Sequence, residues 1–234
     1  MKITRRGWFA LLPTIGRLRA AEDGAWTILA LGDSITEGSN YFSDYRVPLA
    51  GLLAKENCRV RFVGSRHTPG EPEPLRHDGY SGKTAEFLAK NIERIYSDNP
   101  ADIILLHAGH NHFADERPVQ GILAATEQII QSARRINPRV IVILAQVIPS
   151  GKLPKYSYIP ELNRELASLA ARLNSPGQPV ILVDQAAGFD VASDTIADHV
   201  HPNASGAAKM AARWYAALVP ILSGPPPLRD MRHQ

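Results

Sequence analysis

One cysteine in 234 residues, three methionines and 7% aromatic residues leave this sequence short of several kinds of chemistry. A lone thiol closes no internal disulfide and supplies no Cys-rich zinc site. Its setting, Cys58 in KENCRVRFVG just ahead of a branched apolar run, suits packing. No apolar run approaches the roughly 20 residues that a membrane-spanning helix needs. The nearest candidate, Trp8 to Ile15, is too short and carries Pro13. A strong charge of one sign is also missing. The formal +3 rests on Lys2, Arg5, Arg6, Arg17 and Arg19, and taking those five from the 26 basic residues leaves 21 against 23 acidic, a charge of −2. Such a balance offers no basic field to nucleic acid, and neither nucleic acid nor a membrane is expected as a partner.

What is present is a hydrophobic fraction of 44%, enough at this length to bury one full core. The opening stretch MKITRRGWFALLPTIGRLRAAEDG has a basic start, a short apolar run and small residues at Ala20 and Ala21, the layout of a targeting segment. The paired arginines after Thr4 resemble a bacterial twin-arginine export signal. Residues 1–24 are therefore expected to be an export signal to the periplasm or beyond, residues 25–222 the folded domain, and residues 223–234 a loosely ordered tail.

Five branched apolar runs recur: WTILAL (26–31), RVRFVG (59–64), ADIILLHAG (101–109), RVIVILAQVIP (139–149) and PVILVDQ (179–185). Each is nearly continuous rather than alternating, as in strands buried on both faces of a parallel sheet. Helical patterns lie between them, over 45–56, 84–96, 118–136, 159–173 and 204–222. Alternating strands and helices predict a three-layer α/β/α sandwich with a parallel sheet of about five strands. The proline- and glycine-rich stretch Ser65–Gly82 reads as a long loop over the sheet edge.

Ligands in open α/β sheets sit outside the carboxyl ends of the strands, so the residues after each run carry the functional argument. Gly32-Asp33-Ser34 follows the first run, Gly109-His110-Asn111-His112 the third, and ADHVHPNASG (197–206) separates the fifth run from the last helix. A serine hydroxyl needs a base within hydrogen-bond reach, and a histidine base needs an acid to fix its tautomer. Ser34, His201 and Asp198 can fill these roles, the spacing of three placing the carboxylate beside its imidazole. Candidate donors to a tetrahedral oxyanion are the N–H groups of Ser34 and Gly82 and the side-chain amide of Asn111. His199 is a rival base, but only His201 stands three residues after Asp198 and precedes a proline.

In this order GDSIT, YSG, GHN and DHVHP resemble the four blocks of the SGNH or GDSL hydrolases, over the whole chain from about Trp26. The resemblance implies a flavodoxin-like esterase or lipase that uses no cofactor. It implies Ser34 as nucleophile, Asp198 and His201 as acid and base, and Ser34, Gly82 and Asn111 as the oxyanion hole. One departure stands out: the family usually follows its oxyanion asparagine with an aspartate, and this chain has His112. HDGYSG (77–82) is similar to the matching block of acetyl-xylan esterases and related carbohydrate deacetylases, which implies acetyl release from a small-molecule or polysaccharide ester. Alternatives are a lysophospholipase or thioesterase of the same fold, or a non-catalytic carbohydrate-binding protein. Oligomeric state is left open.

His110, His112 and Tyr80 are expected to line the pocket. Tyr41, Phe42, Tyr45 and Phe113 flank the same region and could stack on sugar rings, while Lys152, Lys155, Tyr156 and Tyr158 could form its rim. His77, His107, His110 and His112 raise the possibility of zinc, but no HxxxH or cysteine set orders them, so no metal is expected. YSGKT resembles the end of a phosphate-binding loop, yet the first glycine of that motif would fall at His77.

Overall fold

The apolar runs lie side by side as strands. A computed structural model of the protein describes residues 24–67 and 75–226. In chain order the elements are β1 (Trp26–Gly32), α1 (Ser34–Glu37), α2 (Arg46–Lys55), β2 (Val60–Val63), β3 (Asp78–Gly79), α3 (Ala85–Asp98) and β4 (Ile103–His107). A 3-10 turn (Ala114–Glu116) follows, then α4 (Val119–Ile136), β5 (Ile141–Gln146), α5 (Ile159–Leu173), β6 (Val180–Asp184), α6 (Val191–Asp194) and α7 (Ala204–Leu222). The expected export signal lies outside the described residues except for Gly24, as do residues 68–74 of the expected loop and residues 227–234 of the tail.

One parallel sheet runs in the order β2-β1-β4-β5-β6, with β3 paired to the end of β1, Leu31 opposite Asp78 and Gly32 opposite Gly79. The five longer strands thus follow the flavodoxin-like order, with a sixth, two-residue strand inside the stretch read from the sequence as loop. That short strand exists through its pairing with β1, which no local pattern announces. The third and fourth runs also extend past their strands, because their ends are buried connections.

Successive strand side chains enter opposite layers. Leu29, Leu31, Ile104, Leu106, Val142 and Leu144 face α3, α4 and α5. Ile28, Ile103, Leu105, Ile143 and Ala145 face α2 and α7. Both faces are covered, which is why the strands read as continuous apolar runs. On α4, Ile122, Ile129 and Ile130 are fully buried, and each such side chain stabilises the fold by roughly 1.5–3 kcal/mol. No helix among the described residues is long and apolar enough to cross a membrane.

The chain leaves β1 toward β2 on one side and returns to β4 on the other. This reversal opens a crevice at the carboxyl ends of β1 and β4, the position at which such sheets hold ligands.

Candidate active site

The turn after β1 is built for close approach. A Cβ at Gly32 would lie 2.3 Å from the His107 carbonyl oxygen and 2.3 Å from Thr36 Oγ1, so only glycine fits where the strand end meets its neighbour. Asp33 caps α1, its Oδ1 accepting from the Ile35 N–H at 3.0 Å. The other end of α1 is held by Arg46, fully buried, whose guanidinium donates to the carbonyls of Thr36 (2.8 Å), Glu37 (3.0 Å) and Leu75 (2.6 Å). Carbonyls that a helix end leaves unpaired are thereby satisfied. Asp44 balances the charge at 3.2 Å. Ser34 sits between these fixtures at the first position of α1, 6% exposed.

The sequence-remote partner arrives from the loop between α6 and α7. Asp198 Oδ1 accepts from the N–H groups of Val200 (2.9 Å) and His201 (3.0 Å), a turn that folds the carboxylate back over its own imidazole. Asp198 Oδ2 lies 2.5 Å from His201 Nδ1, and His201 Nε2 lies 2.9 Å from Ser34 Oγ. With Nδ1 donating to the carboxylate, Nε2 is left to accept from the serine hydroxyl. Partial burial pushes the Asp198 carboxyl up, but the hydrogen bonds from the His201 ring and from the two backbone N–H groups outweigh it and hold the group below its ordinary value. Asp198 is the ionised orienting group that a histidine base requires. The rival His199 instead gives its carbonyl to the Gly151 N–H (2.8 Å) and Ser150 Oγ (3.1 Å).

Gly82 and Asn111 adopt left-handed backbone conformations, with φ of 71° and 70°. Asn111 Nδ2 donates to the Lys83 carbonyl at 3.0 Å, which fastens the amide to the loop that carries Gly82. One amide hydrogen is used there, and an amide nitrogen carries a second. Among the described residues none accepts a hydrogen bond from the Gly82 N–H.

Of the residues expected to line the pocket, His110 is fully buried, while Tyr80 and His112 are half-buried. His110 is buried beneath the site, stacked on His107 with centroids 5.9 Å apart and edge-on to Tyr156 at 5.5 Å. The Gly109-His110 turn is braced by Tyr158, whose hydroxyl donates to the Gly109 carbonyl at 2.8 Å, so Tyr156 and Tyr158 pack rather than form a rim. His112 turns aside to Glu86 (3.1 Å) and Glu116 (3.4 Å). The Tyr80 hydroxyl donates to Asp78 Oδ1 at 2.7 Å, and the ring packs edge-on to Phe87. Tyr45 is buried against Trp214, and Lys155 lies 4.3 Å over the exposed Phe113 ring.

Among the described residues, Asp33, His107 and His110 form the one group from which a metal ligand set could be drawn, their ligand atoms lying within 4.8 Å of one another. Burial raises the Asp33 carboxyl to about 7, the N–H groups of Ile35 and His110 offsetting only part of it. Burial lowers His107 to about 4 and drives His110 well below the usual imidazole value. Below about pH 7 the two neutral imidazoles and the protonated carboxyl make a polar trio with no net charge. His107 Nε2 is already engaged, accepting from the Ile148 N–H at 3.4 Å.

One contributor to the site, Arg46, escaped the sequence, and so did the contact that Phe42, expected only to flank the pocket, makes with His201. Arg46 follows Tyr45 at the start of an ordinary-looking helix, where arginine usually reads as solvent-exposed. Phe42 stacks on the His201 ring across a gap of 159 residues in sequence, with centroids 4.1 Å apart. No spacing rule links the two.

The model of the GDSL-like Lipase/Acylhydrolase family matches residues 30–209. The crystal structure of an acetyl esterase mutant with an acetate ion is 25% identical with a TM-score of 0.76, the match covering 85% of this chain and 98% of that one. A carbohydrate esterase family 3 structure from Talaromyces cellulolyticus is also 25% identical, with a TM-score of 0.77 and the same coverage, 85% and 98%. A "Multidomain esterase" of Ruminococcus flavefaciens is 27% identical over 88% of this chain, which spans only 30% of that relative's length.

Proposed function

For a chain that belongs to the GDSL-like lipase/acylhydrolase family, and is thereby a carboxylic ester hydrolase, we propose a serine esterase that removes short acyl groups, acetyl above all, from carbohydrate. The observation that carries the reading is the unbroken line of hydrogen bonds from Ser34 Oγ through the His201 ring to Asp198, at 2.9 and 2.5 Å. Ser34 Oγ attacks the ester carbonyl while His201 Nε2 takes its proton. Asp198 holds the imidazolium that forms. The tetrahedral oxyanion collects donors from the Ser34 N–H, the Gly82 N–H and the Asn111 amide. Collapse of the intermediate passes the proton from His201 to the leaving alcohol and leaves an acyl-Ser34 ester. His201 then activates water to release the acid. No step draws on a cofactor.

The acetyl and carbohydrate parts of the reading are supported by likeness to an acetyl esterase and to a carbohydrate esterase at 25% identity, and by HDGYSG in the sequence. Export is supported by Arg5 and Arg6 near the start of the chain, and a polysaccharide ester outside the cytoplasm would be a fitting substrate.

Hydrolysis of 4-nitrophenyl acetate and butyrate, followed by acetate release from acetylated xylan, tests the proposal. Acetate should be preferred over butyrate, and Ser34→Ala and His201→Ala should each lower kcat at least roughly a thousandfold with unchanged circular dichroism. Retention of a tenth of the activity by Ser34→Ala would remove the serine from the mechanism. Equal turnover of the butyrate would remove the acetyl preference.

A further inference from the structure

A groove lies beside the triad, and the hydrolytic steps above make no use of it. It has a volume of about 510 Å³ and runs between the Ser39–Asp44 loop, the first turn of α2 at Val47 and Pro48, and the start of α7 at Ala204 and Ala207. That volume falls within the range of small-molecule sites. Phe42 belongs both to the groove and to the site, since its ring is stacked on the His201 imidazole. The loop is held against the catalytic segment by the Ser43 N–H, which donates to the Pro202 carbonyl at 3.1 Å.

The chemistry of the walls selects a ligand. Tyr41 is 88% exposed, the most exposed large apolar side chain among the described residues, although its own N–H is tied to Ser39 Oγ at 3.0 Å. The backbone is thus fixed while the ring is left uncovered. Hydroxyl and amide groups at Ser39, Asn40 and Ser43 flank the two aromatic rings. The groove's one carboxylate, Asp44, is engaged by the N–H groups of Arg46 (2.7 Å) and Val47 (3.2 Å) and by the Arg46 guanidinium at 3.2 Å. A cation would find no free partner there. Small side chains at Ala204 and Ala207 leave room along α7. Together these features suit a neutral, flat molecule with an apolar C–H face and a rim of hydroxyls.

We propose that this groove binds a pyranose ring of the leaving alcohol, a sugar unit next to the one bearing the ester, with Tyr41 as its stacking platform. The assignment rests on the carbohydrate esterase reading above. It places the sugar next to Phe42, whose ring stacks on the His201 imidazole. Stacking on an aromatic face contributes about 0.5–1.5 kcal/mol beyond area burial, which corresponds to roughly two- to tenfold in binding.

The experiment compares kcat/KM for an acetylated xylo-oligosaccharide with that for 4-nitrophenyl acetate, which has no sugar to place in the groove. Tyr41→Ala should lower the ratio of the two about five- to tenfold, through KM for the oligosaccharide. Tyr41→Trp should preserve it, and Val47→Trp, filling the groove from α2, should lower it. An unchanged ratio in both Tyr41→Ala and Val47→Trp overturns the assignment. Calorimetric titration of the Ser34→Ala chain with xylohexaose separates this outcome from failure of the parent reading. If the wild-type chain hydrolyses 4-nitrophenyl acetate but no acetylated oligosaccharide, the carbohydrate ester reading falls. Binding that is lost with Tyr41→Ala would then still uphold the groove, and no binding would overturn it.

Discussion

Phe42 lies nearly flat against the imidazole of His201, with ring centroids 4.1 Å apart and planes inclined by 21°. Apart from Asp198 and Ser34, little holds that imidazole, whose side chain is 23% exposed. An aromatic face beside it limits rotation about the side chain. It also presents a negative quadrupole to the imidazolium that forms as Ser34 loses its proton.

Replacing this contact should affect the chemical step more than substrate binding. Phe42→Leu is expected to lower kcat for 4-nitrophenyl acetate about three- to tenfold, within the range of a cation–π contact, with little change in KM. Phe42→Tyr should recover most of the loss. A change confined to KM, or no recovery by tyrosine, would show that the ring only fills space.

His112 stands where the family usually has aspartate, and its surroundings give a reason. Its ring lies 3.1 Å from a Glu86 oxygen and 3.4 Å from a Glu116 oxygen, so an aspartate there would face two carboxylates. Introducing the usual residue as His112→Asp should therefore destabilise the protein, by about 1–2 kcal/mol and a few degrees in melting temperature. Adding Glu86→Gln should return part of it. If His112→Asp melts at or above the wild-type temperature, the two glutamates are not what the histidine answers.

The buried histidines set the response to acid. Burial lowers His77 to about 3 and His107 to about 4, and places His110 well below its usual value, so all three are neutral in the folded chain near pH 5.5. Unfolding frees them to take up protons below their ordinary value near 6.5, and stability is lost as pH falls from there toward the folded values. Asp33 works the other way. Raised to about 7, it keeps its proton when folded and releases it on unfolding above about 4, so it costs stability as pH rises from about 4 to 7. Three proton uptakes against one release leave a net uptake of about two, a loss of roughly 2–3 kcal/mol per pH unit between pH 6 and 5. Thermal melts should fall steeply over that interval, and Asp33→Asn should make the fall steeper. A flat profile from pH 7 to 5 would contradict the burial of these imidazoles.

The main architecture was legible because a parallel sheet covered on both faces leaves an unmistakable trace. WTILAL and ADIILLHAG are apolar at nearly every position since both faces of β1 and β4 are sealed. Helices α3, α4, α5 and α7 are legible from their 3.6-residue stripe, the last expected over 204–222 and running Ala204–Leu222, whereas the four-residue α1 and α6 are too short to carry one. The pairing of Asp198 with His201 was legible because three residues on a turn bring two side chains together without help from the rest of the chain. Two-residue β3 was not legible, because it is a strand only where β1 lies beside it. Neither was the inward turn of His110, a polar residue in a polar-looking stretch that is buried under Tyr156 and the end of β1.

By itself, then, the sequence determined the five longer strands and the five longer helices, that the strands would be parallel, and which hydroxyl, imidazole and carboxylate stood at strand ends and turns. Those properties follow from periodicity and from spacings of a few residues, which the local backbone obeys whatever surrounds it. The tertiary structure decided that Ser34 Oγ meets His201 Nε2 at 2.9 Å across 167 residues, that Phe42 covers the imidazole, and that Arg46 is buried under α1. It also decided that Asp33 and three histidines lose their water. Contacts between distant segments, and the desolvation that comes with them, depend on how layers pack in three dimensions, and a one-dimensional pattern carries no record of that.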